Sequence, residues 1–341
     1  MKSNLKSIFD SLHPTPTRKL NDHILIVDAL NTFIRNFATV NFINQQGNHI
    51  GGLAGFLKSL GYLVRIHNPT RVLIVFDGKG STINRKNIDP DYKGNRNLTK
   101  ITNWDIHESK EAERESMADQ IHRLIQYLQC LPVQIVMIDK IEADDVIAFV
   151  SKLYSKYDKK VTIVSSDKDF LQVVDKNTSV YSPTKKKTYT VELVKEEYNV
   201  LPKNFILYKT LLGDQSDNLP GVNRIGPKTI LKLFPDFADR EYTITEMFNI
   251  CESCFQKNRK YLDILQQKDR VEINYKIMNL VELDLSDDEV LQIKTILEEN
   301  ITPLNILAFE MIYQADSMNA TVSSNILSWL EVFRYLTTLR K

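Results

Sequence analysis

The feature that most constrains the fold is a set of four apolar runs, each ending in or followed by an acidic residue. They read HILIVDAL (residues 23–30), RVLIVFDG (71–78), VQIVMID (133–139) and VTIVSSD (161–167). Strands without a polar face are buried on both sides, so these runs predict a mostly parallel sheet flanked by helices. Helices are expected between the strands, at 30–40, 51–66, 116–129 and 144–156. The fold class is therefore α/β.

Strand-like runs stop after about residue 190, and the rest of the chain predicts helices with short turns. One stretch, at about 203–235, reads as helix, glycine hairpin and helix. Farther on, Ser286 and Glu289 have the spacing of a helix capping box. The pattern predicts three parts: a loose N-terminal arm at 1–21, an α/β core at 22–200 and a helical domain at 201–341.

Composition excludes several classes of protein. The chain has no apolar run of the ~18 residues that a membrane span needs, and its first twenty residues lack the features of a secretory signal. Three cysteines among 341 residues exclude a disulfide framework and fit a reducing cytoplasm. Cys251 and Cys254 form a C-x-x-C without a second pair or a nearby histidine, so helix packing is favoured over zinc or redox chemistry.

The net charge of +1, from 44 basic and 43 acidic residues, argues by itself against a nucleic-acid-binding protein. Nine of the acidic residues, however, fall in short clusters. If those nine share one metal-filled pocket, the rest of the chain has an excess of ten basic residues. A basic surface around an acidic pocket is what a metal-dependent nuclease requires.

The acidic clusters follow the predicted strands, and the carboxyl ends of parallel strands are where chemistry gathers in an open sheet. A single aspartate there is usually a loop or cap residue. Several carboxylates are different, because two of them ~4 Å apart repel by about 4 kcal/mol at an effective dielectric constant of ~20. Oxygen ligands without histidine or cysteine favour Mg²⁺ or Mn²⁺ over zinc. Two such ions can activate a water molecule and stabilise the leaving oxygen of a phosphodiester.

The helix EADDVIAFVSKLY should begin at this edge, with Glu142 and Asp145 on one face because they lie three residues apart. A further acidic pair, Asp214 and Asp217, precedes the glycine hairpin. Taken alone, that pair reads more readily as a turn with a capping aspartate.

Six sequence blocks together resemble the 5′-to-3′ exonuclease and flap-endonuclease family. They are ILIVDALN (24–31), VFDG (75–78), DYKGNR (91–96), EADD (142–145), SSDKDF (165–170) and GDQSDNLPGVNRIGPKT (213–229). The block IVMIDKIEADD and the segment SPTKKKTY are similar to the phage branch of the family, in particular to T-even 5′ nucleases with ribonuclease H activity. The resemblance covers roughly residues 22–235 and implies a PIN-like nuclease core.

The resemblance implies two metal sites built from carboxylates. The first would use Asp28, Asp77, Glu142, Asp144 and Asp145. The second would use Asp167, Asp169, Asp214 and Asp217, partly through water. All nine positions carry an acidic residue, so an active enzyme is expected.

The family also carries a helical arch, which would span about 85–125 here. Its base matches Tyr92, Lys93 and Arg96. The two cations can neutralise charge on the scissile phosphate, and Tyr92 offers a face for an unpaired base. His107 and His122 are expected to be solvated in the polar part of the arch.

The segment GVNRIGPKT resembles the helix-hairpin-helix of the family, in which glycines permit a tight turn and the following helix faces a phosphate. Arg224 stands where the family usually has a second glycine, which puts the K⁺ site of that hairpin in doubt. The predicted DNA-binding residues are Gly221, Arg224, Gly226, Lys228, Thr229 and Lys232. Their contacts would not read base sequence.

The resemblance, together with the acidic clusters, implies a monomeric, two-metal 5′ nuclease that acts on DNA with a 5′ flap or 5′ end and on RNA–DNA hybrids. Removal of primers and flaps in phage replication is the expected role, with a sliding clamp or single-strand-binding protein as candidate partners. Two alternatives are a PIN-type ribonuclease and a structure-selective DNA-binding protein without activity. The hairpin opposes the first alternative, and the complete carboxylate set opposes the second.

Overall fold

The computed structural model describes residues 19–95, 106–318 and 321–339. Its main sheet has six strands: β1 (His23–Asp28), β2 (Arg71–Asp77), β3 (Gln134–Ile138), β4 (Lys160–Val164), β5 (Thr178–Ser182) and β6 (Lys187–Tyr189). The strand order is β3-β2-β1-β4-β5-β6, and only β6 is antiparallel to its neighbour. The mostly parallel α/β sheet and its four predicted strands are confirmed, whereas β5 and β6 were not predicted.

Five helices accompany the first four strands: α1 (Ala29–Thr39), α2 (Gly51–His67), α3 (Ile83–Ile88), α4 (Lys110–Gln129) and α5 (Ala143–Lys156). Four of them match the predicted helices, although α4 starts earlier because Ser109 caps it by accepting from the amide of Ala112. The helical prediction for the remainder is also confirmed. Its helices are α6 (Val191–Tyr198), α7 (Phe205–Leu212), α8 (Pro227–Leu233), α9 (Ile244–Cys254), α10 (Arg259–Leu265), α11 (Lys268–Met278), α12 (Asp287–Glu298), α13 (Ile306–Ala315) and α14 (Ile326–Arg334).

The prediction that strands end near residue 190 is wrong at one loop. A two-residue ladder joins β7 (Gly213–Asp214) to β8 (Leu219–Pro220). This ladder closes the loop that carries the second acidic pair, so that loop is a hairpin rather than an open turn. The predicted capping box of Ser286 and Glu289 is present at the start of α12.

The sheet separates two apolar layers, because alternate residues of each buried strand face opposite sides. Ile24 and Ile26 of β1 pack in a layer with α5 and with apolar residues of α7 to α12. Leu25 and Val27 pack in the other layer, which includes residues of α1, α2 and α4. The first layer runs without a break across residue 200.

The last two helices do not join the layer that contains the glycine hairpin. Helices α13 and α14 pack in the opposite layer, where Trp329 lies against α2. The approach at Gly61 is so close that a Cβ atom there would lie 2.2 Å from Trp329 Nε1. The C-terminal segment therefore braces the sheet from the side away from the hairpin.

The outer strand β3 is covered by the end of α12. Arg71 donates to the carbonyl of Leu297, and the side-chain amide of Gln134 donates to the carbonyl of Ile296. Both polar side chains are buried, and Arg71 also donates to Tyr154 Oη at 2.7 Å. Within the described ranges, none of the helices is both long and apolar enough to span a membrane.

Candidate active site

Three neighbouring strands deliver their acidic residues to one edge of the sheet. Asp28 and Asp77 end β1 and β2, and Asp167 follows β4 by three residues. Since β2, β1 and β4 are adjacent and parallel, their carboxyl ends meet at the same edge. The predicted gathering of these side chains follows directly from this topology.

Asp28 and Asp77 also serve as local structural residues. Asp28 Oδ1 accepts from the amide of Asn31 at 3.1 Å and caps α1, while its Oδ2 accepts from Ser165 Oγ at 2.9 Å. Asp77 Oδ1 accepts from the amide of Ala143 at 2.9 Å, at the start of α5. Thus the capping and functional interpretations of these aspartates are compatible.

Glu142 is surrounded by three donor side chains, and its own side chain is only 2% exposed. It pairs with Arg85 Nη1 and accepts from Tyr92 Oη at 3.1 Å and from Lys93 Nζ at 3.0 Å. Asp145 pairs with Arg85 Nη2 at 2.9 Å. The expected common face of Glu142 and Asp145 is confirmed, and the face is turned toward Arg85.

The remaining carboxylates of this edge repel one another. Burial, followed by the charge of Asp167 and then of Asp28, raises the pKa of Asp144 well above its ordinary value. Burial likewise raises the pKa of Asp28 to about 7, to which the charges of Asp167 and Asp77 contribute. These mutual effects place the carboxylates close together and leave the cluster short of positive charge.

A second group of carboxylates gathers around Lys209 of α7. Its Nζ lies 2.8 Å from Asp169 Oδ1 and 2.6 Å from Asp214 Oδ2. Burial and the charge of Asp167 raise the pKa of Asp169 to about 7, even though Lys209 opposes the shift. Burial also acts to raise the pKa of Asp214, but the hydrogen bonds from Lys209 and Ser216 outweigh it and lower that pKa.

The arrangement fits a divalent cation by the chemistry of its donors, because they are carboxylate oxygens and burial raises the pKa values of Asp28, Asp144 and Asp169 among them. In the part of the chain that the structure describes, however, no three acidic, histidine or cysteine side chains converge as a ready-made ligand group. Arg85, Lys93 and Lys209 stand among the carboxylates instead. Metal binding here would thus require carboxylates to turn from these cations.

Tyr92 departs from the prediction that its ring offers a stacking face. The residue is 2% exposed and its ring packs in the core layer below the site. Its hydroxyl lies 3.1 Å from Glu142 Oε2 and 3.4 Å from Asp217 Oδ2. A base cannot stack on a buried ring, so the structure assigns Tyr92 to orienting carboxylates.

Part of the predicted arch lies outside the described residues. Arg96 belongs to that part, since the description stops at Asn95 and resumes at Ile106. His107 was expected to be solvated and is not, because it is 8% exposed and stacks on Phe37 with ring centroids 5.5 Å apart. His122 is exposed, as expected.

The hairpin between α7 and α8 achieves its turn differently from the prediction. Gly226 has an extended backbone and open space around its Cα, so other residues would fit there. The left-handed conformation falls on Arg224, with φ +62°. Gly221 is needed for a close approach, since a Cβ atom there would lie 2.1 Å from the carbonyl oxygen of Leu212. Lys228 and Lys232 are exposed, and Thr229 is half-buried between them.

Sequence reasoning missed two central cations, Arg85 and Lys209. Arg85 stands in a polar stretch that gives no sign of burial, yet only 9% of the residue is exposed. Lys209 did leave a signal, because it is the one charged residue in the otherwise apolar helix FILYKTLL. A lysine in a buried helix is rarely tolerated without a partner, which predicts acidic neighbours.

Comparison with known proteins identifies the family. The profile of the 5′-3′ exonuclease N-terminal resolvase-like domain matches residues 23–199, and that of the 5′-3′ exonuclease C-terminal SAM fold matches residues 200–296. A 5′-3′ exonuclease of Buchnera aphidicola is 30% identical over 272 residues, which are 79% of this chain and 89% of that protein. A 5′-3′ exonuclease of Aquifex aeolicus is 28% identical over 271 residues, or 78% and 86% of the two chains.

Solved structures share the fold at lower identity. The bacteriophage T5 5′-exonuclease with bound zinc has a TM-score of 0.65 and 22% identity, covering 82% of this chain and 99% of that one. The T5 flap endonuclease in a pseudo-enzyme-product complex with DNA and metal ions has a TM-score of 0.61 and 18% identity, covering 91% and 99%. With its PIN-like core and helical SAM-fold domain, the chain belongs to the 5′-3′ exonuclease family.

Proposed function

We propose that this protein is a two-metal 5′-to-3′ exonuclease and flap endonuclease that hydrolyses phosphodiesters near 5′ ends of DNA and of RNA–DNA hybrids. The observation that supports this most is the gathering of carboxylates from four distant parts of the chain at one sheet edge. The raised pKa values of Asp28, Asp144 and Asp169 mean that the folded protein holds negative charge that it does not fully neutralise. Binding two Mg²⁺ ions, or Mn²⁺ in their place, would relieve that charge.

The residues fall into two proposed sets of metal ligands. The first set is Asp28, Asp77, Glu142, Asp144 and Asp145. The second set is Asp167, Asp169, Asp214 and Asp217. When bound, a pair of such ions activates a water molecule and stabilises the leaving oxygen of a phosphodiester.

The chain's own cations are proposed to complete the site. Lys93 Nζ lies 3.0 Å from Glu142 and could turn to a phosphate once that carboxylate is engaged elsewhere. Arg96, three residues farther along, is proposed to assist it. Both would stabilise the charge that develops on the scissile phosphate. Arg85 has a different position, because its Nε donates to the carbonyl of Ile277 and holds the guanidinium in place behind Glu142 and Asp145.

The hairpin is proposed to hold duplex DNA without reading its sequence. Lys228 and Lys232 are exposed one helical turn apart, and Arg224 is exposed in the turn before them. Exposed cations at this spacing can follow a phosphate backbone. We also propose that this hairpin binds a K⁺ ion, since Arg224 adopts the left-handed conformation that a glycine would.

The biological role that we propose is removal of RNA primers and flaps during phage DNA replication. It is supported by the sequence blocks that resemble T-even 5′ nucleases with ribonuclease H activity. The enzyme would act as a monomer and meet a sliding clamp or single-strand-binding protein at the replication fork.

Cleavage of labelled substrates tests the proposed function. We expect the protein with Mg²⁺ to release short products from a 5′-labelled flap and from an RNA–DNA hybrid, and Asp144→Asn to release none. DNA binding without cleavage by the unmodified protein would support the inactive DNA-binding alternative. Cleavage of single-stranded RNA in preference to flaps would support the PIN-type ribonuclease. Equal cleavage by Asp144→Asn would contradict the proposed site.

A further inference from the structure

Two loops of the site are joined by a reciprocal pair of asparagine side chains. Asn218 Nδ2 donates to the carbonyl of Asp91 at 2.9 Å, and Asn95 Nδ2 donates to the carbonyl of Gln215 at 2.9 Å. Each loop therefore gives one amide to the backbone of the other. We call these two hydrogen bonds the asparagine clamp, and the loops it joins are residues 89–95 and 213–218.

The clamp encloses the residues that carry the proposed chemistry. Between its two bonds, the amide of Lys93 donates to the carbonyl of Asp217 at 2.9 Å. The hydroxyl of Tyr92 lies 3.4 Å from a carboxylate oxygen of the same aspartate. A shift of one loop would therefore move Lys93 and Asp217 relative to each other. Neither asparagine is itself bonded to a carboxylate through these amides, so both act through the backbone.

The residue type at position 218 suits this task. Asn218 has φ +59°, in the left-handed region that asparagine tolerates better than most residues with a side chain. Lys93 has φ +56° in the facing loop, where nothing in its side chain favours that conformation. The contacts that surround Lys93 must therefore hold it there.

The loop of Asp214 and Asp217 is stiff enough to be positioned as a unit. Asp214 Oδ1 accepts from the amide of Ser216 at 2.8 Å and from its hydroxyl at 2.6 Å. The β7–β8 ladder closes the base of the loop. Fixing the loop at Gln215 and Asn218 thus fixes both aspartates.

We propose that Asn95 and Asn218 are positioning residues that hold Asp214 and Asp217 in register with Tyr92 and Lys93. This inference rests on the proposed function, because it assigns the clamp a part in the same reaction. Without the clamp, Lys93 and Asp217 would sample several relative positions, so fewer bound substrates would be aligned for cleavage. DNA contacts in the hairpin would be unaffected.

The test is Asn218→Gly, which removes the amide but retains the left-handed backbone preference. Asn199→Gly is the matched control, because Asn199 has φ +54° at the exposed end of α6, away from both loops. We expect Asn218→Gly to lower the single-turnover rate about tenfold, the effect of one ordinary hydrogen bond. Its affinity for flap DNA, measured with Ca²⁺, should stay within about twofold since no phosphate contact changes. The control should match the unmodified protein in both respects.

Amide hydrogen exchange tests the clamp independently of activity. In Asn218→Gly, exchange should become faster in residues 89–95 and 213–218 together, and Asn95→Ala should produce the same paired change. If exchange rises only in 213–218, or if the cleavage rate equals that of Asn199→Gly, the proposal is overturned. If Asn218→Gly does not fold, the same measurements are made on Asn95→Ala. If the unmodified protein cleaves nothing, the proposed function fails, and paired exchange still shows whether the loops are clamped.

Discussion

Asp144 is a buried carboxylate whose charge destabilises the folded protein. Burial together with the charges of Asp167 and Asp28 raises its pKa. A raised pKa means that the charged form costs folding free energy at every pH above the ordinary value of 3.8. In the absence of a cation, the native protein carries this cost, and a bound cation would remove it.

Replacing Asp144 by asparagine should therefore have opposite effects on stability and cleavage. We expect Asp144→Asn to raise the melting temperature in EDTA at pH 7.5 and to lower cleavage by on the order of 10²–10³ or more. The matched control is Asp239→Asn, which alters an exposed aspartate paired with Lys195. A lower melting temperature for Asp144→Asn in EDTA would show that the charge of Asp144 does not destabilise the folded protein.

His67 makes a pH-dependent contribution to stability. Burial, with a smaller contribution from Lys160, lowers its pKa to about 4. Between pH 6.5 and 4 the unfolded chain binds a proton that the folded protein does not, so stability falls as the pH falls through this window. The loss is up to about 3 kcal/mol, and His67→Gln should remove it. Melting temperatures at pH 7.5 and 5 check this, and equal losses in the two proteins would contradict it.

The sequence was informative about acidic residues and uninformative about their partners. Asp28 and Asp77 could be predicted because each ends an apolar strand, and strand order alone then brings them together. Arg85 could not be predicted, because its carboxylates lie 57 and 60 positions away and nothing local indicates their approach. Tyr92 was misread for the same reason, since its burial depends on contacts with Glu142 and Asp217.

The hairpin between α7 and α8 has an arginine at a backbone position that usually favours glycine. Arg224 occupies a left-handed position and is exposed. Glycine would adopt this conformation at lower cost. An arginine at this position could contact a phosphate, which glycine could not do, and the neighbouring lysines suit the same ligand.

The salt dependence of DNA binding tests the hairpin. Lys228→Ala with Lys232→Ala should weaken binding to duplex and flap alike and lower the slope of log affinity against log salt by about 0.9 for each phosphate that a lysine no longer neutralises. The control is Lys195→Ala with Lys203→Ala, which removes two exposed lysines that pair with acidic residues. An unchanged slope in the hairpin variant would direct attention to another surface for duplex binding.

Strands were predictable where their sequences are apolar. Strands β1 to β4 are continuous apolar runs, whereas β5 reads TSVYS and β6 has three residues, two of them exposed. Such strands gain their structure from pairing with a neighbour, and their own composition does not reveal it. The β7–β8 ladder was missed because two residues per strand leave no pattern.

Helices α13 and α14, at the C-terminal end of the chain, stabilise the molecule by packing on the sheet layer that contains α2. Trp329 of α14 is 5% exposed and packs with Phe309 and Phe333 against α2. A helical tail alone does not indicate which layer it will join, which explains why the sequence suggested a single helical domain after residue 200. The C-terminal helices instead support the sheet layer opposite the hairpin.

Trp329→Ala should loosen this support, with a loss of about 3–5 kcal/mol of stability. Limited proteolysis should then cut first between α12 and α14. Leu327→Ala, on the same helix with 49% of its surface exposed, should behave like the unmodified protein. Gly61→Ala should reproduce the Trp329 effect from the other side of the contact. Proteolysis that begins elsewhere in both variants would contradict the bracing role.

Neither outer edge of the sheet is freely available for pairing with another sheet. This affects how the protein behaves at high concentration. At one edge, the end of α12 packs on β3, and the side chains of Arg71 and Gln134 donate to its last carbonyls. At the other, β6 is only three residues long, turns antiparallel and exposes Lys187. Short, charged or covered edges offer a second sheet little to pair with. The fold therefore resists edge-to-edge aggregation, while the carboxyl ends of its parallel strands stay open for the site.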